Sequence, residues 1–106
     1  MKVLFDQGTP APLRRALAGH LVETAYERGW SNFQNGELLA AAEAAGFEVI
    51  VTTDKNLKYQ QNLATRRIGV IVLLTTSWPR IQRALAAVQS AVDSAAPATY
   101  VEVLIE

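Results

Sequence analysis

The feature that most constrains this chain is the regular exchange of short apolar runs with helical patterns. Runs rich in strand-forming residues occupy positions 3–5, 21–25, 47–51, 68–74 and 100–105, and each interval between them carries a helical pattern. A parallel strand can be re-entered only through a crossover connection, so strands that alternate with helices predict a mostly parallel sheet covered on both faces. Right-handed crossovers then give the strand order 2-1-3-4, with the last strand at an edge. Residues 68–74 are nearly all apolar, as a central strand buried on both faces must be. Residues 100–105 alternate, which suits a half-exposed edge.

The helices carry their own punctuation. Thr9 is placed to cap a first helix that tolerates Pro10 and Pro12 in its opening turn, with Leu13, Ala16 and Leu17 on one face and Gly19 as its stop. Asn35 is the expected N-cap of the second helix, with Glu37 in the first turn and Gly46 at its end. A polar helix is expected over residues 56–67. Ser77 should cap one last long helix, whose Ile81, Leu85, Val88 and Val92 recur at helical spacing.

The totals exclude several classes. At 106 residues the chain suits one domain spanning residues 1–106. Ten basic and ten acidic residues cancel, so any contact with nucleic acid must come from a local patch. The absence of cysteine excludes disulfides and thiolate metal sites, and His20, the single histidine, cannot build a histidine-rich zinc site. His20 follows a helix-stopping glycine and reads as structural. No basic-then-apolar leader opens the chain and no apolar run approaches the roughly 20 residues of a membrane helix, so the expected setting is cytoplasmic, away from membranes.

Ligands of open parallel sheets bind beyond the carboxyl ends of the strands, where the winding reverses. The first strand ends at Asp6 and the third at Asp54. The second helix starts on that same side and brings Asn35 and Glu37 toward it. Three carboxylates, Asp6, Glu37 and Asp54, are thus expected at one crevice, with the amides of Gln7 and Asn35 beside them. Clustered oxygen ligands suit Mg²⁺ or Mn²⁺ rather than zinc. Such a site supports phosphodiester hydrolysis. Each acid also has a plain structural role open to it: an aspartate at a strand end stabilises turns, and Glu37 favours a helix N-terminus.

The segments Val3-Leu4-Phe5-Asp6-Gln7, Gly19-His20, Asn35-Gly36-Glu37-Leu38-Leu39-Ala40 and Val49-Ile50-Val51-Thr52-Thr53-Asp54-Lys55-Asn56-Leu57 carry a resemblance. Together they resemble the PIN-like domains, small relatives of PIN ribonucleases that include toxins of bacterial toxin–antitoxin pairs. The last segment, similar to the family's strand followed by Thr-x-Asp-x-Asp/Asn-Phe/Leu, is the most specific. The resemblance implies a three-layer α/β/α fold and acidic residues that chelate divalent metal for RNA cleavage. Asp6 matches the family's first acid and Asp54 its last; Asn35 stands where Asp is commonest, and no motif supplies the remaining acid.

On that resemblance Asp6, Glu37 and Asp54 are the expected catalytic and metal-binding residues, supported by Gln7, Asn35 and Asn56. Lys55, Lys58 and Arg66 would hold the RNA backbone, and Trp30 and Phe33 would either stack on bases or form a lid. The alternative is a catalytically degenerate PIN-like interaction module, paired with a small antitoxin-like protein or with itself. A homodimer through residues 100–105 or the last helix is a further expectation.

Overall fold

The computed structural model describes residues 1–57 and 66–106. Five parallel strands form one sheet: β1 (Lys2–Phe5), β2 (Leu21–Thr24), β3 (Val49–Thr52), β4 (Gly69–Leu73) and β5 (Tyr100–Val103). Their order is β2-β1-β3-β4-β5, the order expected from the sequence, with β5 at an edge. The register sets Phe5 beside Thr24 on one side and Val51 on the other, so the carboxyl ends of the three strands are level.

Alternation along the strands divides the core into two layers. On one face Val3, Phe5, Val49, Val51, Ile71 and Leu73 pack against a 3₁₀ helix (Ala11–Ala16), α2 (Trp78–Gln82) and α3 (Leu85–Asp93) through Leu13, Ile81, Val88 and Val92. On the other face Leu4, Ile50, Val70 and Val72 pack against α1 (Asn35–Ala44) through Leu38, Leu39 and Ala42. The result is a three-layer α/β/α arrangement. Among the described residues, no helix is long and apolar enough to cross a membrane.

Several local expectations are corrected. Thr9 caps no helix; it is buried, and Pro10 stands at the N-cap position instead. The helix after it is a 3₁₀ helix closed by bonds such as Leu13 N–H to Pro10 O at 3.1 Å. Prolines at 10 and 12 remove donors from so short a segment, which favours the tighter helix. Gln34, not Asn35, is the N-cap of α1, which frees the Asn35 amide for another use. The last long helix is two helices, α2 and α3, separated at Arg83–Ala84; nothing in the local sequence marks that break. Ser77 does cap α2, accepting from the Arg80 N–H at 3.4 Å. The expected polar helix over residues 56–67 falls largely on residues 58–65, outside those described.

Candidate functional site

The order of the strands places the winding reversal between β1 and β3. The loops that follow them, from Asp6 and from Thr53, meet there. Their approach is close: a Cβ on Gly8 would lie 2.6 Å from Thr53 Oγ1. Only glycine permits that separation without a shift of Thr53.

Asp6 follows the last residue of β1 and is fixed by its neighbours. Its backbone N–H donates to Val51 O at 3.1 Å, continuing the β1–β3 ladder. One carboxylate oxygen, Oδ1, accepts from the Thr9 hydroxyl at 2.7 Å, and Oδ2 accepts from the Thr52 hydroxyl. The Thr9 hydroxyl also lies 2.8 Å from Val51 O, so its single proton has two acceptors within reach. Burial pushes the Asp6 carboxyl above the ordinary aspartate range, against the hydrogen bonds from Thr52 and Thr9 that pull it down.

Asp54 is tied to the same hydroxyl, because its backbone N–H donates to Thr52 Oγ1 at 3.1 Å. Thr52, buried at the end of β3, therefore touches both aspartates. Asp54 Oδ1 accepts from the Asn56 N–H at 2.9 Å in a local turn, and Oδ2 accepts from the Asn35 side-chain amide at 3.0 Å. The structure thus joins Asp6, Asp54, Asn35 and Asn56 in one network, as the sequence places them. Lys55 is exposed beside it.

The other expected residues go elsewhere or are peripheral. The Glu37 carboxylate accepts from the Gln34 N–H at 3.4 Å and completes a capping box with the Gln34 side chain. Among the described residues no three of His, Asp and Glu are grouped so as to hold an ion. Arg66 forms an ion pair with Glu43 at 3.0 Å, and the Arg67 N–H donates to the same carboxylate at 2.8 Å, which fastens the chain to α1 before β4. Lys58 lies outside the described residues. Trp30 and Phe33 stack on each other with centroids 6.0 Å apart, and Phe47 meets Trp30 edge-on. His20 Nε2 donates to Asp93 Oδ1 at 2.6 Å and its Nδ1 accepts from the Met1 amine at 3.1 Å, a structural tie between the chain start and α3.

Beside Asp6 opens a cavity of about 420 Å³, bounded also by Gln7, Arg14, Thr24, Tyr26 and Glu27. Sequence reasoning missed Tyr26. Its signal was positional: it follows β2 on the carboxyl side of the sheet, next to the strand that ends in Asp6. Comparison with known proteins found no matching family model, no matching curated protein and no matching solved structure.

Proposed function

We propose that the chain is a divalent-metal-dependent ribonuclease of the PIN-like class, with Asp6 and Asp54 as its metal-binding pair. One observation carries the proposal: at the winding reversal the Thr52 hydroxyl donates to the Asp6 carboxylate and accepts from the Asp54 backbone N–H, which holds two aspartates at the carboxyl ends of adjacent central strands.

The donor set fits a hard cation. Mg²⁺ commonly takes one or two carboxylates and keeps water or substrate phosphate in its other positions, so a third protein acid is not required. The Asp6 carboxylate accepts from the Thr9 and Thr52 hydroxyls, with the Gly8 and Thr9 backbone N–H groups also facing it, and that of Asp54 accepts from Asn35 and Asn56. Thr9 and Thr52 orient the Asp6 carboxylate, and Asn35 and the Asn56 N–H orient that of Asp54, the outer contacts that fix metal ligands elsewhere. A bound Mg²⁺ or Mn²⁺ would supply an activated water and neutralise phosphate charge. Lys55, exposed beside Asp54, would meet the RNA backbone. Cytoplasmic action as the toxin of a toxin–antitoxin pair belongs to the same proposal, with a small antitoxin-like protein as partner.

A second reading rests on Glu37. Its carboxylate serves its own helix, and without a third acid the domain becomes a catalytically degenerate PIN-like interaction module. Exposed Val101 and Leu104 at the β5 edge would then suit a protein partner or a second copy. Titration calorimetry with Mn²⁺ separates the two. The nuclease requires one binding event in wild type that Asp54→Asn removes; an interaction module binds no Mn²⁺ in either protein.

A further inference from the structure

We propose that Tyr26 is the stacking platform of a subsite for one unpaired nucleobase beside Asp6. The proposal rests on the ribonuclease reading and adds a base-binding residue to it.

Tyr26 is 79% exposed, which leaves its ring open to a partner. It is not on a loose loop. The turn that carries it is braced at both ends: the Thr24 N–H donates to Glu27 Oε1 at 2.9 Å, and the Glu27 N–H returns to Thr24 Oγ1 at 3.0 Å. The Arg28 N–H donates to Thr24 O at 3.2 Å, and the Gly29 N–H to Tyr26 O at 3.0 Å. Arg14 fastens the same turn to the 3₁₀ helix through its contact with Glu27 Oε2 at 3.2 Å. Because the turn already holds the Tyr26 backbone in place, a flat partner settling on the ring has only the side chain to order.

The cavity beside the ring fits that partner. Its volume of about 420 Å³ falls in the range of small-ligand sites, roughly 300–1,000 Å³. Arg14 and Glu27 on its wall cancel each other's charge. The Gln7 amide on the wall makes no hydrogen bond among the described residues, and it offers a donor and an acceptor to a base edge. Asp6 belongs to both the cavity and the proposed metal pair, so a base stacked on Tyr26 would lie one step from a phosphate at the metal. Stacking on an aromatic side chain needs a base out of its helix, which single-stranded RNA provides and a duplex does not.

The test is fluorescence anisotropy with a labelled RNA ten-mer, single-stranded or annealed to its complement, in EDTA. Wild type, Tyr26→Phe and Tyr26→Ala are compared. The expected result is tighter binding of the single strand by wild type and Tyr26→Phe, and a loss of about 5- to 150-fold in Tyr26→Ala. Equal binding by Tyr26→Ala, equal binding of duplex, or no binding by wild type would each overturn the subsite. Because EDTA removes the metal, the outcome is independent of cleavage. Loss of single-strand binding in Tyr26→Ala without any Mn²⁺-dependent cleavage by wild type would keep the subsite and reject the nuclease. Cleavage abolished by Asp54→Asn but unchanged in Tyr26→Ala would do the reverse.

Discussion

The Asn35 side-chain amide donates to Asp54 Oδ2 at 3.0 Å, linking the first turn of α1 to the loop after β3 across 19 positions of sequence. The link is possible because Gln34 takes the N-cap role and leaves Asn35 in the first turn. Replacing Asn35 with Asp removes the donor and sets a second carboxylate against Asp54. Like charges at that distance disfavour ionisation of both. We expect Asn35→Asp to lose about 1–3 kcal/mol of stability in EDTA and to regain it in Mn²⁺, since an ion that binds only the native state stabilises it. Thermal melts with and without Mn²⁺ check this; a variant as stable as wild type in EDTA would contradict it.

Burial of Asp6, which outweighs its hydrogen bonds from Thr52 and Thr9, makes stability depend on pH in a direction opposite to that of a salt-bridged aspartate. The folded-state pKa of Asp6 is raised, so between the unfolded value, about 3.9, and the folded value the native state holds more protons than the unfolded state. Stability contributed by Asp6 is therefore present below that window and falls as pH rises through it. Asp6→Asn removes the dependence. Its amide can donate to Thr9 Oγ1 while the Thr9 proton goes to Val51 O, and its carbonyl can accept from Thr52. Urea titrations from acid to neutral pH should show wild type losing ground to Asp6→Asn as pH rises. A wild type that gains ground instead would reject this view of the site.

Glu37 supports a simpler expectation. Its contact with the Gln34 N–H closes the capping box of α1. Glu37→Ala should lose about 0.3–1 kcal/mol of stability and leave Mn²⁺ affinity unchanged by calorimetry. A weakened Mn²⁺ isotherm would place Glu37 among the metal ligands after all.

The close approach of the two central loops predicts coupling between them. A methyl group on Gly8 would meet Thr53 Oγ1 at 2.6 Å. Gly8→Ala should destabilise by about 1–3 kcal/mol, the usual result of overpacking. Thr53→Ala in the same chain should recover most of that loss, because it removes the atom that is met. Denaturation midpoints of the two single variants and the double variant form the cycle. Additive losses would show that the contact does not govern the loop spacing.

Strand order and the positions of Asp6 and Asp54 were legible in the sequence because both follow from local patterns. Apolar runs mark the strands, their alternation with helices makes the sheet parallel, and the residue after each strand is then placed at the carboxyl edge of the sheet. Roles that depend on which of several polar neighbours takes a bond were not legible. Thr9 has the chemistry of a cap and the chemistry of a buried hydroxyl partner, and only the approach of Val51 and Asp6 decides between them. Gln34 and Asn35 differ by one position, and the choice of cap decides whether the Asn35 amide can reach Asp54. Arg66 looked free for phosphate because nothing in the sequence pairs it with Glu43, 23 residues earlier. Tyr26 has no pattern around it at all; its meaning comes from the strand beside it.

The most direct test of the metal-site proposal is RNA cleavage in Mn²⁺ by wild type, Asp6→Asn and Asp54→Asn, each checked for folding by circular dichroism. Wild type should cleave single-stranded RNA, chelation should stop it, and both variants should be folded and inactive. Cleavage by folded Asp6→Asn at the wild-type rate would contradict the proposal that Asp6 and Asp54 form the centre of this site.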